Sequence, residues 1–239
     1  STVNQGRLCF RGRDAVAWSK SATLEEVAEL LWQARPAWPL ASASHRPSPA
    51  APALTRALQA LAERAAHDPA TLGAQADNLA PQAASVLMTV AEALIGDAPA
   101  PAQGRPLHQR LAQQWGCPQA AEFIRQALVL LADHELNAST FATRVTASTG
   151  AALSACVLSG LATLSGPLHG GAVAQVQALV DTTLAQGAEA ALAPALQSGR
   201  LYPAFGHPLY PDGDVRAQAL LASLMASGGR LPPGFAELQ

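Results

Sequence analysis

The segment Thr23–Pro36, "TLEEVAELLWQARP", decides how the rest of the chain is read. Thr23 followed by Glu26 is a capping box, in which hydroxyl and carboxylate each satisfy a backbone N–H that a helix start leaves open. Leu24, Val27, Leu30 and Leu31 recur on one helical face, and Pro36 closes the segment. Working outward, the same period returns at Leu54, Leu58 and Leu61. Pro81 suits the first turn of a helix that carries Val86, Leu87, Val90 and Leu94 and stops at Gly96. Leu107, Leu111 and Trp115 mark a short helix before Gly116. Pro118 opens the next, with Phe123, Ala127, Leu130 and Leu131 facing inward. The run from Asn137 to Ser159 is rich in Ala, Ser, Thr and Gly, and is expected to be the most buried helix because small side chains let helices approach closely. Helices follow over 172–186 and 189–197, ended by Gly187 and Gly199, and Asp214 caps a last one towards Ser227. Strand alternation is almost missing. The fold class is all-α.

The chain has 239 residues, enough for one large domain or two modest ones. Its hydrophobic fraction is 49% against only 13% charged, which is lean for a monomer and implies that a partner subunit covers part of the surface. A net charge of −2 leaves no electrostatic footprint for nucleic acid or anionic lipid. Cys9, Cys117 and Cys156 are far apart and form no CxxC, so neither a disulfide framework nor a thiolate zinc site is expected, and a reducing cytoplasm is the expected location. No unbroken apolar run reaches the roughly 18 residues of a membrane helix, and the first residues do not read as a signal peptide. Residues 36–53 and 97–106, rich in Pro, Ala and Ser, read as exposed connections, the first of them mobile. Residues 199–213 read as a hinge or an active-site loop.

Six histidines occur. His45 and His67 sit in loop or surface contexts and His108 near a helix start, so these three read as structural or solvated. His134 lies in "ADHELNAST" (Ala132–Thr140), where an apolar helix meets a polar cluster. His169 lies in "GPLHGG" (Gly166–Gly171) and His207 in "AFGHPLYPDGD" (Ala204–Asp214). Glycine permits backbone conformations closed to other residues and lets a ligand approach the main chain, here at Gly166, Gly170, Gly171 and Gly206. Ala138 breaks the HExxH that His134-Glu135 begins, and "GPLHGG" lacks P-loop spacing. A zinc site built from all three histidines, and with it a metal-dependent hydrolase, is neither supported nor forbidden by the spacing. No metal is the expectation.

"DHELNASTFATRVTASTG" (Asp133–Gly150), "SGPLHGGA" (Ser165–Ala172) and "FGHPLYPDGDVR" (Phe205–Arg216) resemble, in order and separation, the successive active-site segments of citrate synthases. "GRLCFRGRD" (Gly6–Asp14), followed by the Thr23 capping box, is similar to that family's N-terminal region, so the resemblance runs over the whole chain. It implies a large helical domain over 1–170 and part of a smaller helical domain over 171–239, in a homodimer whose small domain moves to close the site. The implied reaction condenses acetyl-CoA with oxaloacetate through citryl-CoA to citrate and free CoA, with acetyl-CoA as substrate and no cofactor.

The resemblance assigns His169 to hydrogen-bond the thioester oxygen as the enol develops. Gly170 and Gly171 precede an expected helix, so His169 should sit at a helix N-terminus, where the dipole disfavours an imidazolium and keeps the ring a neutral donor. By the same implication His207 donates to the oxaloacetate carbonyl, His134 and Asn137 bind that substrate, and Arg216 holds a carboxylate with its planar fork. Three positions depart from the pattern: Pro208 stands where many relatives carry arginine, Val215 where proline is frequent, and Ser165 where lysine is common. Each lost cation weakens contacts to CoA phosphates or a substrate carboxylate. The family's catalytic aspartate and further arginines are expected beyond Gln239, so the chain is expected to be part of a longer enzyme. The alternatives are a shorter, non-catalytic relative that binds oxaloacetate or acyl-CoA, and a propionyl-CoA enzyme that makes 2-methylcitrate.

Overall fold

A computed structural model describes residues 1–38, 51–96, 105–199 and 207–229. The expectations for His45, for Gly206, for most of the connections at 36–53 and 97–106 and for residues 200–206 of the 199–213 connection fall outside the described residues. The chain divides into two compact units, Ser1–Thr163 and Leu164–Gln239.

The first unit opens with a small antiparallel sheet that the helix-dominated sequence pattern did not bring out: β1 (Thr2–Asn4), β2 (Arg7–Phe10) and β3 (Arg13–Asp14), in the order β1-β2-β3. These strands span two to four residues, too short for alternation to register, yet Leu8 and Phe10 of β2 are buried. Asp14 then caps the short α1 (Ala15–Trp18). The capping box forms as expected at the start of α2 (Leu24–Trp32): the Thr23 hydroxyl accepts from Glu26 N–H, and the Glu26 carboxylate accepts from Thr23 N–H. Helix α2 ends with Gln33 in the left-handed conformation, before Pro36.

Helices α3 (Ala53–His67) and α4 (Ala76–Ile95) pack against each other through Ala57, Ala60 and Ala93, joined by Val90 and by Leu161. Helix α4 begins five residues before Pro81, not at it. The proline sits inside the helix and costs the hydrogen bond that an N–H there would give to the Asp77 carbonyl. Among the described residues α4 is the one helix long and apolar enough to cross a bilayer, but Ala84, Val86, Met88 and Ala91 are buried in the core. A second core cluster joins Ala91 and Ile95 to Leu107 and Leu111 of α5 (Leu107–Gln114), with Leu24, Ile124 and Leu128 packed on it. Trp115 is the C-cap of α5 and is exposed.

A 3₁₀ turn at Pro118–Ala120 leads into α6 (Ala121–Leu130). Its buried face is Arg125, Gln126, Val129 and Leu130, whereas Phe123 is exposed and Leu131 is 62% exposed. The expected inward stripe is met at Leu130 but not at Phe123 and Leu131, because the buried face also takes in the Arg125 guanidinium. Arg125 donates to the carbonyls of Ser19, Lys20 and Ala22 and to the Glu122 carboxylate at 2.8 Å. A buried charge survives only when so fully bonded, and a hydrophobicity pattern assigns such a residue to the surface.

The small-residue run is two helices, α7 (Ala138–Ser148) and α8 (Leu153–Leu164). The 69–75 connection pins the break, with Thr71 N–H donating to Gly150 O and the Thr71 hydroxyl to Ala151 O, each at 2.9 Å. Helix α7 has no buried residue, and Phe141 and Val145 are 57% and 50% exposed. This corrects the expectation of a deeply buried helix. The small side chains serve one close crossing, at Gly160 of α8, where an added Cβ would lie 2.1 Å from the Thr143 Oγ1 of α7.

In the second unit a 3₁₀ turn, Gly170–Ala172, runs into α9 (Val173–Gln186). Helix α9 packs on α10 (Ala188–Ser198), and Asp214 caps α11 (Val215–Ala226).

Candidate functional site

The sequence-derived residues occupy three places, one in the first unit and two in the second. In the first unit His134 lies in the connection between α6 and α7 and is half-buried. Its neighbour Glu135 adopts a left-handed backbone, φ 55°. The Glu135 carboxylate accepts from Val3 N–H of β1, and its own N–H donates to Ser1 Oγ at 2.7 Å. The sheet thus staples the loop that presents His134. Asn137 is the N-cap of α7: its Oδ1 accepts from Thr140 N–H at 2.9 Å and from the Ser139 hydroxyl at 2.8 Å. Its amide oxygen is therefore committed to the helix start, and its Nδ2 group is the part suited to a ligand.

His169 is the residue before the 3₁₀ turn that becomes α9, so it does sit at a helix N-terminus. The turn folds tightly on itself. The Gly166 carbonyl accepts from both His169 N–H and Gly171 N–H at 3.0 Å, and the His169 carbonyl accepts from Ala172 N–H at 3.0 Å. A Cβ on Gly170 would lie 2.7 Å from Leu164 O, and one on Gly171 would lie 2.5 Å from Ser165 O and 2.7 Å from Gly166 O. The small residues in "GPLHGG" thus make room for the chain's own backbone at the end of α8. The close approach expected of a ligand is here an approach of main chain to main chain.

The His207 segment is organised by side chains. Leu209 N–H donates to His207 Nδ1 at 3.2 Å, so in the neutral ring the proton sits on Nε2, which becomes the donor. Burial, and next the charge of Arg216, hold the His207 pKa below its ordinary value against the opposing pull of Asp214. Arg216 grips Asp214 with one edge of its fork: Nε is 2.9 Å from Oδ1 and Nη2 is 2.6 Å from Oδ2. Burial alone would raise the Asp214 carboxyl, but the Arg216 guanidinium and backbone N–H outweigh it and keep the carboxyl below the usual range. The edge of Arg216 formed by Nη1 and the second Nη2 hydrogen is turned away from that pair, and its geometry suits another carboxylate.

Sequence reasoning named His207 and Arg216 and read Asp214 only as a helix cap. It missed that Asp214 also pairs with Arg216, which the Asp-x-Arg spacing signals, and it missed Tyr210, whose ring lies against His207 and Arg216. Among the described residues no group of three His, Cys, Asp or Glu side chains gathers in a way that could hold a metal ion.

Comparison with known proteins gives the relationship. The family described as "Citrate synthase, C-terminal domain" matches residues 1–229. The chain is 45% identical over 111 residues to a citrate synthase of Haloferax volcanii, covering 45% of this chain and 29% of that protein. It is 41% identical over 91 residues to a 2-methylcitrate synthase of Shewanella oneidensis, covering 38% of this chain and 24% of the relative. The aligned stretch thus spans less than a third of either curated relative. The fold is shared with a citrate synthase of Thermoplasma acidophilum whose structure is a ternary complex with carboxymethyl coenzyme A and oxaloacetate. That likeness has a TM-score of 0.70 at 22% identity and covers 95% of this chain and 69% of that one. With a match that runs from the first strand through α11, the chain belongs to the citrate synthase family.

Proposed function

We propose that this chain supplies the three histidines of an acyltransferase that condenses acetyl-CoA with oxaloacetate to give citrate and CoA. The observation that carries the reading is the His207 segment, where a ring held in the Nε2–H form stands beside an arginine with a second carboxylate-binding edge. In this reading a base removes a methyl proton from the thioester, and His169 donates a hydrogen bond to the thioester oxygen as the enol forms. The enol carbon then attacks the oxaloacetate ketone. The C–C bond forms, the carbonyl electron pair moves onto oxygen, and His207 Nε2–H gives that oxygen its proton. Water cleaves the resulting citryl thioester, releasing citrate and CoA. Arg216 binds a substrate carboxylate through its outer edge, with His134 and the Asn137 amide nitrogen on the same substrate. A donor placed where charge develops contributes about 3 kcal/mol.

The catalytic unit in this proposal is a homodimer that works without a cofactor, a membrane or nucleic acid, in the cytoplasm. Exposed apolar residues on α7 and α9, among them Phe141, Val173 and Leu184, support a subunit partner. Propionyl-CoA as donor is the second reading, favoured by the similarity to a 2-methylcitrate synthase.

The test is thiol release from acetyl-CoA or propionyl-CoA with oxaloacetate by the full-length protein. His169→Ala and His207→Gln are each expected to lower kcat by about 10²–10³-fold. Absence of thiol release from both donors, with no oxaloacetate binding by calorimetry, overturns the reading.

A further inference from the structure

We propose that Tyr210 is the positioning residue of the His207 segment: its buried ring holds the His207 imidazole and the Arg216 guanidinium in one fixed relation. Donor and anion-binding fork can then meet the same substrate. The proposal rests on the reading above for what those two groups do, but the placement itself is geometric.

Between His207 and Asp214 the chain is almost wholly at the surface. Pro208, Leu209, Pro211, Asp212 and Gly213 are all exposed, while Tyr210 is 2% exposed. Two prolines remove backbone donors at 208 and 211, so the segment has few ways to hold its shape. Two of its backbone bonds centre on Tyr210. Its N–H donates to His207 O at 2.9 Å, and its carbonyl accepts from Gly213 N–H at 3.1 Å.

The ring completes the arrangement. Its centroid lies 5.2 Å from that of the His207 imidazole with the planes inclined at 48°, within the range of a favourable tilted aromatic pair. The Arg216 guanidinium carbon lies 5.5 Å from the same centroid, a cation–π distance. Asp214 holds the guanidinium along its Nε–Nη2 edge. Among the described residues, the charges of Arg216 and Asp214 act on His207. The phenol ring therefore spaces the imidazole from its neighbouring charges while the Leu209 N–H fixes its tautomer. Both contacts are made by the ring, so the expected determinant is the aromatic ring.

The test compares the full chain with Tyr210→Phe and Tyr210→Leu by ¹⁵N NMR of the His207 ring, followed by steady-state kinetics. The native protein is expected to show the Nε2–H tautomer and a His207 titration below the ordinary histidine range. Phenylalanine should preserve both. Leucine should give a mixture of tautomers and move the titration towards the ordinary range, with KM for oxaloacetate raised about tenfold and kcat lowered about tenfold. A folded Leu variant with unchanged tautomer and titration overturns the proposal, and so does a Phe variant that behaves like Leu. If the Leu variant does not fold, nuclear Overhauser contacts from the Tyr210 ring to the His207 ring and the Arg216 side chain in the native protein carry the test, and their absence overturns it. The NMR arms need no turnover. A chain that passes them with neither thiol release from either donor nor oxaloacetate binding refutes the proposed reaction alone, and one that releases thiol without the tautomer response refutes the role of Tyr210 alone.

Discussion

The turn before α9 and the segment before α11 both present a histidine, and they are built in opposite ways. Around His169 the backbone packs against itself, with carbonyls of residues 164–166 occupying the space where side chains at 170 and 171 would stand. Around His207 the backbone is exposed, and the order comes from a ring, an ion pair and one N–H bond to the imidazole. The first arrangement leaves no room for a side chain at Gly170 or Gly171. The second accepts atoms more readily but depends on protonation. Steric and electrostatic perturbations should therefore separate the two histidines.

The largest separation is expected from Gly171→Ala. Its new methyl would meet two backbone carbonyls that cannot rotate away. Overpacking of this kind costs about 2 kcal/mol, and kcat should fall by about a hundredfold because His169 is displaced. Thermal unfolding and thiol release measure the two effects, while the His207 NMR signals should stay in place. A wild-type melting temperature for this variant would break the contrast.

A smaller effect is expected at Asp214. Replacement by Ala removes the α11 cap and should cost about 1 kcal/mol, whereas Asn keeps the cap and loses only the negative charge that pairs with Arg216. The Asp214 pKa is lowered in the folded chain, so its contribution to stability is full above the unfolded value and is lost as pH falls through the folded one. Urea titrations should show that acid-side loss, below about pH 4, in the native chain and not in Asp214→Asn.

The smallest effect concerns mild acid. The pKa of His207 is lowered, first by burial, and so is that of His108, which is 3% exposed and 4.0 Å from Glu122. Both rings bind protons more readily in the unfolded chain. Stability should therefore fall as pH drops below about 6.5, towards the folded values. His108→Asn should flatten part of that slope in denaturant titrations at pH 5 to 7, leaving a remainder due to His207.

Some of this was legible in the sequence because the cause is local. The capping box at Thr23 and Glu26 and the cap at Asp214 depend on residues two or three apart, and both formed where the spacing placed them. Their order, and that of the histidine segments, also carried the family. What escaped was set by distant partners. Arg125 turns the face of α6 inward because carbonyls more than 100 residues away receive its charge. Pro81 lies inside α4 because packing on α3 and α5 outweighs one missing bond. Helix α7 is small-sided for a single crossing at Gly160, and composition alone cannot distinguish one contact from a buried face. For the candidate site, residue types were readable, but the use of the glycines and the part of Tyr210 required coordinates.

The bond from Val3 to Glu135 closes a separation of 132 residues. A ribosome making about 5–20 residues per second synthesises β1 on the order of 10 s before its distant acceptor exists. The loop carrying His134 can adopt its left-handed turn only after that wait, so this corner of the protein matures late. Pulse-labelled nascent chains would find that β1 resists protease only after residue 135 has been made.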